Sequence, residues 1–240
     1  MVMNGLGQWH QWQCVLASYS YPVDLTRFAE QQAYEGWFKT NISKGDREQT
    51  IQFENSFREA APNYLGAWFE VIFWKLYSNK KILGTAYNII NAIKQKGVSA
   101  NDLWERCCRY INAPSTSNFK DFQQLVVASR NIAVCATFPA FISPERFPMI
   151  DTQVAKWVSS HYEEQNRGAS NKVKLQPPKP GYAGEVLSMS HYPFLESWTS
   201  WCRVRAQQLS ELSGFAWRPR DVEMTIFTAQ RNNLNLPPIA

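Results

Sequence analysis

The sequence has little that could bind a metal ion or build a disulfide framework. Its three histidines, His10, His161 and His191, lie far apart and lack the short spacing of metal ligands. The five cysteines are odd in number and include no CxxC pair, which argues against both a disulfide framework and a zinc site. We therefore expect a protein without a bound metal.

Long apolar runs and the common nucleotide-binding motifs are also missing. No run approaches the roughly 18 apolar residues of a membrane span, and residues 1–16 lack the basic start and apolar core of a signal peptide. The sequence contains no Walker loop, no GxGxxG and no GxSxG motif. These absences predict a cytoplasmic protein with no membrane partner.

The remaining composition is that of a globular helical protein. Hydrophobic residues make up 45% and aromatic residues 14% of the 240 residues, which is ample for a packed interior. No segment alternates apolar and polar residues for long enough to predict a sheet, so we expect an all-α fold. The formal net charge of +5 is compatible with a polyanionic partner but does not require one.

Local start and stop signals place most of the helices. Residues up to Tyr21 show no clear period, residues 113–118 are predicted as a loop, and Gly97 is predicted to close a helix. The charges of residues 217–223 are expected to be exposed, or paired between the two arginines and two acids there. The predicted helices lie at about 22–38, 47–60, 62–76, 83–96, 99–112, 119–127, 193–213 and 220–231.

The most informative stretch runs from Ser129 to Val158. Residues 132–142 are small and apolar, as expected of a buried helix, and Ser143-Pro144 should end it. A short extended segment, residues 147–150, then leads to Asp151. After Asp151 the apolar residues return at helical spacing, so we interpret Asp151 as the N-cap of a second helix, with its carboxylate at the positive end.

This combination resembles the core of the helix–hairpin–helix DNA glycosylase superfamily. Residues 148–154 (Pro-Met-Ile-Asp-Thr-Gln-Val) fall on the superfamily's signature, and the resemblance covers about 125–158. It implies a single two-lobed helical domain over residues 1–240, with the hairpin and catalytic helix at about 119–163. It also implies that Asp151 is the catalytic carboxylate and that the partner is double-stranded DNA.

The sequence departs from that superfamily at the hairpin. Its two phosphate-binding glycines are absent, because the matching residues are Val127, Ala128 and Ser129. Ser129 and Arg130 are expected to contact a phosphate instead. Asn131 occupies the position of the lysine nucleophile of bifunctional members, and an amide cannot form a Schiff base. The resemblance therefore implies a monofunctional enzyme with a degenerate hairpin.

Further DNA contacts are expected after the catalytic carboxylate. The resemblance assigns DNA contacts to Gln153 and Lys156, the latter to a phosphate, in addition to Asn131. Some superfamily members hold a four-cysteine iron–sulfur cluster near the C-terminus, where this chain has only Cys202, so we expect no cluster and no other cofactor. Residues 165–185 form a basic loop insertion that is either solvated or in contact with phosphates. A monomer is expected.

Three function hypotheses follow. The first is a DNA glycosylase that flips out a modified base and leaves an abasic site. Its substrate is hypothesised to be a hypermodified cytosine of phage DNA, such as glucosylated hydroxymethylcytosine, which would make it an antiviral defence enzyme; ordinary repair of oxidised or alkylated bases is the alternative. The second is a DNA-binding module without catalysis. The third is a helical scaffold in which Asp151 is only a cap.

Overall fold

The computed structural model describes residues 7–21, 45–76, 83–126, 131–167 and 173–239. Within these ranges the secondary structure is helical, with one isolated antiparallel bridge between Ser20 and Asp46. The all-α prediction is confirmed for this part of the chain. None of its helices is long and apolar enough to cross a membrane. The α-helices are α1 (Gln8–Ala17), α2 (Arg47–Ala60), α3 (Leu65–Leu76), α4 (Leu83–Gln95), α5 (Ala100–Asn112), α6 (Thr116–Val126), α7 (Ile132–Ile142), α8 (Thr152–Asn166), α9 (Tyr192–Ser213) and α10 (Pro219–Asn232).

The described residues form two compact units. The central unit contains residues 20–142 and therefore α2 to α7. The terminal unit combines the residues before 20 with those from 143 onward, so that α1 joins α8, α9 and α10. Residues from the two ends of the sequence thus share one core.

Aromatic rings build the core of the central unit. The Phe53 and Phe141 ring centroids are 5.3 Å apart, those of Trp68 and Phe138 4.7 Å, and all four side chains are buried. α7 is buried along nearly its whole length although Pro139 lies inside it. An internal proline costs about 3 kcal/mol, whereas burial of each large apolar side chain contributes about 1.5–3 kcal/mol. Burial therefore outweighs the proline, and the predicted helix is confirmed.

Side-chain hydrogen bonds to the C-terminal segment hold the terminal unit together. The Trp12 indole donates to the Pro237 carbonyl at 2.9 Å, and the Gln165 amide donates to Leu236 at 3.1 Å. The buried Arg205 guanidinium donates to Ile239 at 2.7 Å and lies 4.9 Å from the Trp201 ring centroid. Burial lowers the pKa of Arg205 to about 10. Residues from α1, α8 and α9 therefore fix the segment that follows α10.

A buried indole also fixes the segment that precedes α8. The Trp198 side chain, from α9, is fully buried and its Nε1 donates to the Met149 carbonyl at 2.8 Å. Met149 and Ile150 are themselves buried. Because this stretch is extended, the Met149 carbonyl cannot accept a hydrogen bond from a helical backbone N–H. The Trp198 indole provides that hydrogen bond instead.

Several element predictions are confirmed and two need correction. Gly97 closes α4 with φ 65°, as predicted. The first segment is not irregular but forms α1. Residues 116–118 are not a loop but the first turn of α6, because the Ser115 hydroxyl accepts the Asn118 N–H. Of the two alternatives for the charges of residues 217–223, pairing is the one observed: Arg218 pairs with Asp221, and Arg220 forms a buried ion pair with Glu223. The helix predicted over 22–38 lies outside the described residues.

We predict that Trp198→Phe destabilises the protein more than Trp157→Phe does. Both indoles are buried, but Trp157 Nε1 has no hydrogen-bond partner among the described residues, whereas Trp198 Nε1 bonds Met149. Both substitutions remove the same side-chain volume. The difference between their losses of unfolding free energy therefore measures the cost of leaving the buried Met149 carbonyl without a hydrogen bond, about 1–3 kcal/mol. Urea unfolding of the two variants measures it. Equal losses of unfolding free energy would show that the Met149 contact contributes nothing.

Candidate functional site

Asp151 begins α8 as its N-cap. Its Oδ1 accepts the backbone N–H of Val154 at 2.8 Å, and its φ and ψ of −152° and −178° are extended, as an N-cap requires. The N-cap interpretation is confirmed. Asp151 is partly exposed. Met149, two residues before Asp151, accepts a hydrogen bond from Trp198. That bond fixes the position at which the chain enters α8.

A long irregular segment, residues 173–187, runs along α8; we call it the strap. At one end of the strap, Asn166 in the last turn of α8 makes two hydrogen bonds to Leu175, one to its carbonyl and one from its N–H, both 2.9 Å. At the other end, Gly184 lies against Lys156 in the second turn of α8, where a Cβ on Gly184 would come 2.3 Å from Lys156 Cε. The strap therefore extends from the C-terminal end of α8 back towards Asp151.

Glu185 contacts three other residues of the strap. Its carboxylate pairs with Lys179 and accepts the Ala183 N–H at 3.1 Å, while its carbonyl accepts the Tyr182 hydroxyl at 2.6 Å. The hydrogen bond and charge of Lys179 lower the pKa of Glu185 to about 2. The loop predicted to be basic thus neutralises one of its own lysines. Lys174 remains exposed.

Tyr182 is the buried aromatic side chain of the strap; we call Asp151, Lys156, Gly184 and Tyr182 together the Asp151 corner. The Tyr182 side chain is only 7% exposed, and its ring meets that of His191 edge-on, with centroids 6.2 Å apart. The pKa of Tyr182 is raised, first by burial, then by the charge of Glu185 and that of Asp151. The buried phenol of the strap is therefore within electrostatic reach of the candidate carboxylate.

Lys156, which is part of this corner, and Gln153 both lie on α8. Lys156 follows Asp151 by five residues and is partly buried beneath the strap. Within the described part of the chain, neither side chain makes a hydrogen bond or an ion pair. No described residue therefore occupies the hydrogen-bonding groups of these two side chains.

The remaining predicted site residues lie at the hairpin position. Asn131 is in the central unit, where its Oδ1 accepts the Ala133 N–H at 3.1 Å and so caps the start of α7. Ser129 and Arg130 lie outside the described residues. Tyr182 and Gly184 were not predicted, because nothing in a Pro- and Gly-rich loop indicates that it returns along α8.

The residues described here offer no group of three or more His, Cys, Asp or Glu side chains that could hold a metal ion. Comparison of the chain with protein-family models, with curated proteins and with solved structures gives no match.

We predict that Asp151→Asn lowers the pKa of Tyr182, because it removes one of the negative charges that disfavour the phenolate. The value stays above the usual value of about 10, since burial is the larger cause. The measurement is the alkaline titration of tyrosinate absorbance, with Tyr182→Phe subtracted in each background. A phenol with a raised pKa in the folded state keeps its contribution to stability below about pH 10, and the contribution is lost as pH rises further. Identical titrations would mean that Asp151 does not act on Tyr182.

Proposed function

We propose that this protein is a monofunctional DNA glycosylase of the helix–hairpin–helix type, with Asp151 as its catalytic carboxylate. The observation that carries the proposal is the position of Asp151. The carboxylate is fixed at the N-terminus of α8, and Lys156, five residues further along, is partly buried and has no hydrogen-bond or ion-pair partner among the described residues. The two-lobed arrangement of that superfamily is part of the proposal, and the two compact units are compatible with it.

One fixed carboxylate is sufficient for this chemistry. As the N-glycosidic bond breaks, its electron pair leaves with the base and positive charge builds on the sugar, as in glycoside hydrolysis. A carboxylate beside that charge stabilises it, and can orient the attacking water and take its proton. Asp151 needs little rearrangement for this role, because Val154 already holds its Oδ1 and Trp198 holds the preceding segment.

The strap supplies what a base-extruding enzyme needs next to its carboxylate. A base taken out of the duplex has to be held against aromatic or apolar side chains. Tyr182 is buried, with its hydroxyl bonded to Glu185, so it supports this surface from within the strap rather than facing the base directly. We propose DNA contacts for Lys156 and Gln153 on α8. Ser129, Arg130 and Asn131 at the degenerate hairpin keep the DNA contacts that the resemblance implies.

Asn131 determines the product. An amide cannot attack the sugar to form a Schiff base, so water is the nucleophile and the product is an abasic site in an intact strand. We therefore propose that no strand break forms until alkali is added and that borohydride traps no protein–DNA adduct.

The proposed substrate is a hypermodified cytosine of phage DNA, with glucosylated hydroxymethylcytosine as the specific candidate. The argument is one of chemistry and analogy. The oxidised-purine branch of the superfamily usually keeps the hairpin glycines and the lysine that this chain lacks, and here a strap lies along the helix that Asp151 begins. Repair of oxidised or alkylated bases is the alternative.

The direct test is to count abasic sites after incubation with DNA. The substrates are unmodified, hydroxymethylated and glucosylated phage DNA, and duplexes with oxidised or alkylated bases. In Asp151→Asn we expect excision to fall by at least about 100-fold while DNA binding survives, because asparagine keeps the cap but removes the charge. Near-normal excision by that variant would remove Asp151 from the mechanism.

The other outcomes of that experiment separate the alternatives. Reaction of the alkylated or oxidised duplexes alone would replace the defence substrate with ordinary base-excision repair. Salt-dependent DNA binding without abasic sites in any substrate would leave a binding module. Absence of both would leave a helical scaffold.

We predict that Lys156→Gln weakens DNA binding equally for all sequences. Loss of one phosphate contact should reduce the slope of log K against log salt by about 0.9. Lys174→Gln is the matched control, since it removes the same charge from an exposed position at the other end of α8, and it should leave the slope nearly unchanged. An unchanged slope in Lys156→Gln would exclude Lys156 from the DNA interface.

A further inference from the structure

One histidine and one cysteine of this chain lie together on α1, although neither residue type considered alone has the spacing of metal ligands. His10 and Cys14 are four residues apart, so their side chains share one face of the helix. Helical pairs at this spacing supply two ligands to one ion in known metal-site motifs. Both residues are exposed, whereas Trp12, Val15 and Leu16 form the buried side of α1. The pair is therefore accessible to an ion from solvent.

The structure places the two donor atoms at the distance that a tetrahedral ion requires. Cys14 Sγ and His10 Nε2 are 3.6 Å apart. With Zn–S and Zn–N bonds of about 2.3 and 2.05 Å, that separation corresponds to an angle of about 110° at the metal. The same bonds would need about 3.1 Å between the donors in a square-planar site and about 4.3 Å in a linear one. The observed distance therefore matches tetrahedral zinc without rearrangement of the helix.

The chemistry of the two donors favours the same ion. Thiolate and imidazole are the typical side-chain ligands of zinc, whereas Mg²⁺ and Ca²⁺ require oxygen ligands. A zinc ion bound between these two atoms forms its bond to sulfur as the thiol proton leaves to solvent. α1 contains no lysine or arginine, so no cation of the same helix opposes the ion.

We propose that His10 and Cys14 bind one zinc ion at the surface of α1, through Nε2 and Sγ, with water in the remaining coordination positions. The ion links the first turn of α1 to the second. No side chain caps this end of the helix, because the N-cap is Gly7, and the first turn contains no acidic residue. The proposed ion therefore stabilises a helix start that has no local stabilising side chain of its own.

The test is a titration of Zn²⁺ into the whole reduced protein while the ring nitrogen resonances of histidine are recorded. The chain has only three histidines, so each ring can be assigned. We expect one ion per chain, a large shift of His10 Nε2 and no shift of His161 or His191. The site has two protein ligands instead of the four of a structural zinc site, so we expect a dissociation constant on the order of 10 µM.

Three variants test the two ligands and their spacing. Cys14→Ser and His10→Gln should each weaken zinc binding at least about tenfold, because each leaves a single protein ligand. Cys14→Ala combined with Ala17→Cys keeps one thiol and one imidazole on the exposed side of α1 but separates them by about 10 Å along the helix axis. It should weaken binding as much as Cys14→Ser does. Cys108→Ser, which alters a partly exposed cysteine on α5, is the control and should leave binding unchanged.

Several results would overturn the proposal. They are an unshifted His10 ring in excess zinc, coordination through Nδ1 instead of Nε2, equal shifts at all three histidines, or unchanged affinity in Cys14→Ser or in the variant with the displaced thiol. His10, Cys14 and Ala17 are all exposed, and urea unfolding without zinc confirms that each variant is folded. DNA takes no part in this experiment, so its outcome is independent of the glycosylase proposal.

Discussion

The hydrogen bond from the Trp198 indole to the Met149 carbonyl is the contact on which the candidate site depends. It lies in a fully buried environment, where an unmatched carbonyl costs about 1–3 kcal/mol. The extended segment before α8 therefore has one favourable position, and the position of Asp151 follows from it. Trp198 in turn stacks on Trp201, whose ring contacts the Arg205 guanidinium that holds the C-terminal segment. The start of α8 is thus connected through one aromatic cluster to the last described residues.

Local signals in the sequence were sufficient to predict a helix end where one residue fixes that end through contacts within its own turn. Asp151 precedes an apolar-faced stretch, and Gly97 follows such a stretch. Both residues correctly predicted where a helix begins or ends, because each acts within a single turn. α1 was missed because it begins at Gly7 without a side-chain cap, and contacts with distant residues stabilise it. At 113–118 the run of small polar residues favoured a loop, although Ser115 serves as a cap.

The strap shows why the surroundings of the site could not be predicted from the sequence. Its composition indicated an irregular basic loop, which is correct for its described residues. Its path depends on Asn166 bonding Leu175 and on Gly184 having no side chain where it meets Lys156, and neither contact has a sequence pattern. Its charge was also misleading, since Glu185 pairs with Lys179. A count of basic residues measures charge before pairing, whereas a DNA interface depends on the charge left after pairing.

Lys156 differs from several other cations of the terminal unit in having no partner among the described residues. Arg218 pairs with Asp221, Arg220 with Glu223 and Lys179 with Glu185, while Arg205 has a carbonyl and two indole rings. Lys156 is partly buried, yet in the described part of the chain nothing accepts a hydrogen bond from its ammonium. An external anion could therefore bind this ammonium without breaking a hydrogen bond to any described residue. A phosphate of bound DNA is the anion that the proposed function supplies, and the helix start beside it would place that strand within reach of Asp151.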